Sequence, residues 1–362
     1  MPLDPRSVVD FLLERGLVDP ADVLDGGLSV EEAHRRNANF AVRRRGRPGL
    51  FVKQSRSGDA LSVASLRTEA LVARVAAEDP AYARVGALAP PLRHFDAAQG
   101  VLVIDLVDDA TELYRAAAGG TQLPAPVAAA VGTAVGTLHR DAPRTPSPGG
   151  PGPQQAWILS LPLLQDADLP RGAAVRELQR VSRGDPALSA GLAELRAAWA
   201  AAAFVHGDLK WENVLVTASA GADAGAAPRV HLIDWELAGF GDAAWDLGGL
   251  LHAYLRAWVS SLPADALARG TAGAHTGPLS AMGPSVAALW AAYRAAAEPD
   301  APEAFLERAV RHCGARLLQT AFEHAADNDV LTGHVVGLAQ LAANVVARPR
   351  EAASALLHLE AA

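Results

Sequence analysis

Asp208, Lys210 and Asn213 lie within one short stretch, HGDLKWENVLV (206–216), and Asp234 directly follows an apolar run in LIDWELAGFGDAAWD (232–246). A carboxylate, an ammonium and a carboxamide at this spacing suit phosphoryl transfer, which asks a protein for positioning and charge rather than covalent chemistry. The reaction needs a carboxylate at the attacking hydroxyl, oxygen ligands for magnesium, and fixed positive charge on the phosphates of ATP. Asp208 and Asn213 flank a turn that ends in the strand-like VLV. One turn therefore aims a carboxylate at an acceptor and an amide oxygen at a metal. Asp234 closes its own strand, VHLID, and is expected to be the second, charged magnesium ligand. An aspartate at a strand end is common by itself; H-x-D-x-x-x-x-N joined to a hairpin and I-D is a far more specific pattern.

The lysines sharpen this reading. Among 32 Lys+Arg only Lys53 and Lys210 are lysine, as though composition pressed against that residue. A lysine that stays marks a place where a compact ammonium is not replaceable by a planar guanidinium. Lys210, two residues past Asp208, is placed to neutralise a γ-phosphate. Lys53, in GLFVKQS, sits where a strand lysine holds the α- and β-phosphates. Its expected carboxylate partner is Glu69, in RTEAL on the following helix; Glu78 competes from that helix's far end. Two leftover surface lysines would be the plainer reading, and it predicts neither location.

These groups need a scaffold. The chain has 362 residues, 50% hydrophobic and 20% charged, enough for two parts with cores of their own. Residues 8–18 read as a short helix, 28–33, 39–45 and 49–55 as strands, 62–78 as a helix and 100–107 as a strand. GRPG at 46–49 makes a hairpin of the second and third strands. After Asp108 the pattern turns helical: 124–140, 172–182, 187–202, 246–261, 286–298, 302–325 and 329–346, interrupted by the motif strands and by a Pro/Gly loop at 141–155 that is expected to be exposed. The class is α+β, with a β-rich nucleotide-binding part at 1–107 and a helical catalytic part at 108–362.

HGDLKWEN followed by LIDWE resembles the aminoglycoside-phosphotransferase/choline-kinase branch of the protein-kinase-like fold. The resemblance runs through most of the chain, taking in VGTLHR before the motif and AAWDLGGLL after it. It implies a small β-rich lobe with one key helix, a larger helical lobe, and ATP and Mg2+ held between them. Asp208 is then the catalytic base or hydroxyl-orienting residue, with Asn213 and Asp234 on magnesium. Asp246 is expected to brace the catalytic turn and His206 to be structural. The loop HRRNAN (34–39) carries no glycine, so the Gly-rich phosphate cover of protein kinases is absent. Arg36 and Asn37 are candidates to face the phosphates instead, against the equal alternative of a basic surface cluster. Adenine is expected along Ile104–Val107, on backbone groups at Asp105 and Val107.

Composition excludes several other classes. A net charge of −8 argues against a broad nucleic-acid footprint. No apolar run approaches the ~18 residues of a membrane span, and the N-terminus lacks a secretory signal. One cysteine, Cys313, cannot form an internal disulfide, which together points to the cytoplasm. A hydrolase finds no metal-ligand spacing among the histidines, and an inactive pseudokinase would show damage at Lys53, Asp208, Asn213 or Asp234. For the acceptor two readings stay open. From residue 201 onward the chain carries 17 Asp+Glu against 10 Lys+Arg, which suits a cationic small molecule such as an aminoglycoside or choline. RRNANFAV, GLFVKQ and HGDLKWENVLV instead resemble the family subset that phosphorylates Ser/Thr of ribosomal precursor peptides, as in class V lanthipeptide and thioamitide pathways. There a separate lyase subunit eliminates the phosphate, and the peptide reading is the favoured one. The loops at 141–155 and 263–285 are candidates to border a peptide groove. A lysine-directed ATP affinity label is expected to modify Lys53, Lys210 or both, with protection by excess Mg·ATP; equal labelling with and without ATP would refute the reading of the two lysines.

Overall fold

The computed structural model describes residues 2–33, 38–55, 60–117, 123–218, 228–263 and 277–359. The chain folds into two compact units. The first comprises Met1–Ala110, Pro146–Gly152 and His231–Ala238, and the second the rest.

The first unit opens with helices α1 (Ser7–Glu14) and α2 (Pro20–Leu24), then strands β1 (Leu28–Glu32), β2 (Ala38–Arg44) and β3 (Arg47–Gln54). Helix α3 (Ala60–Glu78) and the short α4 (Ala83–Leu88) follow, then β4 (Leu92–Asp96) and β5 (Val101–Asp105). The five strands form one sheet in the order β1-β2-β3-β5-β4, antiparallel throughout. Each face buries its own cluster. Phe40, Val42, Leu50, Val52, Val101 and Val103 pack with Val8, Phe11 and Leu12 of α1 on one side. Leu102 and Ile104 pack with Leu66 and Ala70 of α3 on the other. Period-2 alternation thus places Lys53, opposite Leu102 in the register, on the α3 face.

The second unit contains β6 (Thr111–Glu112), α5 (Leu113–Ala116), α6 (Ala125–Asp141), α7 (Ala173–Arg183) and α8 (Pro186–Ala197). Strands β7 (Ala203–Val205), β8 (Val214–Thr217) and β10 (Gly239–Gly241) precede helix α9 (Ala243–Ser261), and β9 (Arg229–Leu232) begins in this unit and ends in the His231–Ala238 segment of the first. The last elements are α10 (Gly277–Ala297), α11 (Pro302–Ala326), α12 (Gly333–Ala347) and α13 (Pro349–Leu357). No helix among the described residues is long and apolar enough to cross a membrane.

The structure departs from the sequence expectation where pairing or packing overrides local signals. Strand β4 was not expected, because a register shift between Leu92 and His94 breaks its alternation and puts Leu92 and Phe95 against the same cluster. The three-residue β7 and β10 pair with each other across more than thirty residues, which leaves no local trace. Helix α10 starts nine residues earlier than Gly/Pro content implied. It runs through Pro284 because Leu279 and Met282 bury on its inner face. Helix α13 was missed altogether, although proline begins it and Leu357 is buried. The 141–155 loop is not wholly exposed, since Ala142 and Pro151 are buried. Most of 263–285 before Gly277, and the loop holding Arg36 and Asn37, lie outside the described residues.

Helices α6 and α10 pack closely through glycine. A Cβ on Gly132 would stand 2.3 Å from the Leu289 carbonyl, and one on Gly136 would stand 2.8 Å from that of Tyr293. Backbone cannot yield as a side chain can, so Gly132→Val is expected to destabilise the protein by about 1–3 kcal/mol; an unshifted urea midpoint would contradict this packing.

Candidate active site

Two clusters of buried charge contain the residues singled out in the sequence, one in each unit. In the first, Lys53 is 6% exposed. Its Nζ donates to Glu69 Oε1 and Oε2, both at 2.8 Å, and to Asp234 Oδ1 at 2.9 Å. Burial by itself lowers a lysine pKa, but Glu69 and Asp234 outweigh it and hold Lys53 above its usual range. Glu69 takes part because α3 packs that face on the sheet. Asp234 is presented differently: it has φ +69°, a left-handed conformation that is strained for a non-glycine residue. Such strain persists only where surroundings over-determine it; Trp235 directly after it is buried and donates its indole N–H to the Leu232 carbonyl.

In the second unit, Asp208 is 7% exposed between two cations. Arg316 Nη2 donates to Oδ1 and Lys210 Nζ to Oδ2, each at 2.7 Å. Burial would raise the Asp208 pKa, yet Arg316 and Lys210 together hold it well below the usual carboxylate range. Asn213 Nδ2 donates to the Asp208 carbonyl at 2.9 Å and to Oδ2 at 3.2 Å. That fixes the amide, and its Oδ1 is buried with no hydrogen-bond partner.

The turn carrying these groups is tied down from below. Asp246, in the first turn of α9, accepts the His206 N–H at 2.7 Å and the Gly207 N–H at 2.9 Å, and lies 3.2 Å from His139 Nε2. Trp245 Nε1 donates to the Gly207 carbonyl at 2.8 Å. Gly207 has φ +83°, which only glycine adopts freely. Behind the turn, a Cβ on Gly249 would come 2.2 Å from the Leu209 carbonyl, so glycine lets α9 approach the backbone. Asp242 caps α9 and accepts from Arg308 Nε at 2.8 Å, joining α9 to α11.

The structure therefore brings Lys53, Glu69 and Asp234 together in one cluster, and Asp208, Lys210 and Asn213 in the other. Arg36 and Asn37 lie outside the described residues. The Asp105 amide donates to the Pro91 carbonyl and the Leu106 amide to Gly49, each at 2.9 Å, while the Asp105 carboxylate pairs with Arg93. Both amides are spent on neighbouring backbone. Arg316 was not anticipated. A signal existed: Arg316 follows Cys313 by three and precedes Thr320 by four, all buried, so a charge sits on the inward stripe of α11.

Magnesium suits the donors present. An orphaned amide oxygen at Asn213 and a carboxylate at Asp234 are hard donors, and Mg2+ commonly takes few protein ligands beside substrate phosphates. Among the described residues no group of three or more His, Cys, Asp or Glu is placed to hold a metal ion.

The fold and these clusters define a class. The chain belongs to the phosphotransferase enzyme family, whose profile it matches over residues 32–289. It is a phosphotransferase with an alcohol group as acceptor, as the sequence led us to expect. Solved structures with the same protein-kinase-like fold include the choline kinase LicA from Streptococcus pneumoniae, at 16% identity and a TM-score of 0.54, covering 95% of this chain and 98% of that one. The choline kinase of Cryptosporidium parvum Iowa II is 10% identical with a TM-score of 0.55, covering 97% of each chain. The amicoumacin kinase hAmiN, solved with AMP-PNP, Ca2+ and Ami, is 13% identical with a TM-score of 0.53, covering 92% and 95%. No curated protein sequence matches the chain.

Replacing Asp246 by alanine would strand the His206 and Gly207 amides. At about 1–3 kcal/mol for each unsatisfied buried donor, Asp246→Ala is expected to lose roughly 2–6 kcal/mol in urea unfolding; a loss under about 1 kcal/mol would show that the turn holds itself.

Proposed function

We propose that this protein transfers the γ-phosphate of ATP, with Mg2+, to a hydroxyl group positioned by Asp208. The observation that carries this reading is the Asp208–Lys210–Asn213 cluster: a buried carboxylate held by two cations beside an amide oxygen without a partner. Lys210 and Arg316 differ in freedom. The Lys210 side chain is 30% exposed and that of Arg316 only 5%. Lys210 can therefore leave Asp208 Oδ2 for a phosphate oxygen while Arg316 keeps Oδ1 fixed. The oxygen released then accepts the hydrogen of the incoming hydroxyl. Because its paired cations keep Asp208 a weak base, it orients the hydroxyl first and takes the proton late, which a loose phosphoryl transition state permits.

Lys53, fixed by Glu69, binds the α- and β-phosphates in this reading, and Val107 offers its backbone to adenine. Asn213 Oδ1 and Asp234 would hold magnesium, which when bound neutralises charge on the β- and γ-phosphoryl oxygens.

The favoured acceptor is a Ser or Thr side chain of a ribosomally made precursor peptide, with the phosphate later eliminated by a separate lyase to leave a dehydroamino acid. Its support is the resemblance carried by RRNANFAV, GLFVKQ and HGDLKWENVLV. A small hydroxyl-bearing molecule is the second reading, because similar solved structures include choline kinases and an amicoumacin kinase.

One experiment addresses both levels. The protein and Mg·ATP are incubated with a Ser/Thr-rich precursor peptide and its lyase, and separately with an aminoglycoside panel. Phosphate or water-loss mass shifts are expected on the peptide alone; turnover confined to the drugs would overturn the peptide reading. Asp208→Asn is expected to keep ATP binding and to lower turnover roughly 10²–10⁴-fold, and more than half the wild-type kcat would remove Asp208 from this role.

A further inference from the structure

Arg316 stands apart from the rest of the charged surface of the second unit. Its guanidinium lies within the packed part of α11, with Cζ 5.2 Å from the centre of the Trp245 ring. It spends Nη2 on Asp208 Oδ1 at 2.7 Å, while Nε and Nη1 are buried with no hydrogen-bond partner. Its charge is therefore directed at one place, the carboxylate that faces the acceptor.

Among the neighbouring groups, the carboxylate that reaches this cluster, Glu323, acts on Lys210. His252, on α9, bonds Thr320 Oγ1 through Nε2 at 2.9 Å. Burial first, then Arg316 and Arg256, keep that imidazole neutral. Arg256 is itself paired with Glu212. Lys210 adds a second cation on Asp208. The remaining carboxylate on this part of α11 is Glu323, exposed, accepting from Gln319 Nε2 at 3.0 Å. Seven residues from Arg316, it lies two helical turns away, about 10 Å along the axis.

We infer that Arg316 selects the acceptor: alcohols with an uncharged or anionic group beside the reacting hydroxyl are used, and alcohols with a cation there are rejected. This rests on the reading of Asp208 as the residue that meets the acceptor. A hydroxyl within hydrogen-bond reach of Asp208 carries any substituent two or three bonds away to about 5–7 Å from the guanidinium. A bare carboxylate would attract an ammonium at that range; one paired with a fixed arginine and with a second cation, Lys210, leaves surplus positive charge, which disfavours an ammonium by about tenfold in a partly buried site. A cation farther along the acceptor, able to reach Glu323, is not penalised. A serine within a peptide, flanked by neutral amides, meets this requirement; choline and a 2-amino alcohol do not.

The test uses matched acceptors with the full-length protein and Mg·ATP. Choline, its neutral isostere 3,3-dimethylbutan-1-ol and anionic 3-hydroxypropionate form one set; a peptide with a free N-terminal serine, whose ammonium lies three bonds from the hydroxyl oxygen, and its N-acetylated form make another. In each set kcat/KM is expected to be at least about tenfold lower for the cationic member than for the neutral one. Arg316→Met should reduce that ratio to within about threefold, and Arg316→Lys, which restores a charge, should retain most of it. A purely structural arginine would lower all members alike and leave the ratio unchanged. If Arg316→Met fails to fold, the wild-type ratios and Arg316→Lys still decide. Equal use of cationic and neutral members by the wild-type protein overturns this inference and leaves phosphotransfer standing. No phosphorylation of any member, with ATP still bound, overturns the phosphotransfer reading and this inference with it.

Discussion

A carboxylate withdrawn from water stays charged only when cations follow it. Asp208 has two, Arg316 and Lys210, both at 2.7 Å. The same constraint governs Lys53, which is buried against Glu69 and Asp234. Each cluster is a compact set of opposite charges whose members come from different elements, so each also fixes those elements relative to one another. A buried pair of this kind adds little net stability, because desolvation opposes the attraction, but removing one member leaves an uncompensated charge. Positioning of these charged groups and integrity of the local fold are thus enforced by the same contacts.

The division of labour within the Asp208 cluster follows from exposure. A lysine on a flexible stem at the rim can exchange partners, whereas an arginine packed on Trp245 cannot. Asp246 performs a different task one layer below. It uses both oxygens on the backbone amides of His206 and Gly207, holding the turn in shape. Hydrogen bonds from backbone N–H to a buried carboxylate are strong and directional. They allow Gly207 to keep a conformation that aims Asp208 upward from the end of a three-residue strand.

Much of the scaffold was legible because its signals are local. The apolar alternation of NFAV and GLFV, the turn at GRPG and the helical spacing of 62–78 each reflect contacts made within one element. The same holds for Asp208, Lys210 and Asn213, which share six residues of chain, and for Lys53, one of two lysines in a chain that otherwise uses arginine. What escaped were features whose cause lies elsewhere in the sequence. Strands β7 and β10 exist because they pair with each other, β4 is hidden by a register shift, and α10 tolerates Pro284 because of what Leu279 and Met282 bury against.

By itself, then, the sequence determined the reaction class: residue types fixed at short spacing, with hydrophobic periodicity dictating the sheet and helices that carry them. The tertiary structure decided the charge environment of that chemistry. Arg316 is one of thirty arginines when read along the chain, and only the packing of α11 on the catalytic turn sets it against Asp208, 108 residues away. Electrostatic energy depends on distance in space and on the water excluded around a group, and neither is written in sequence separation.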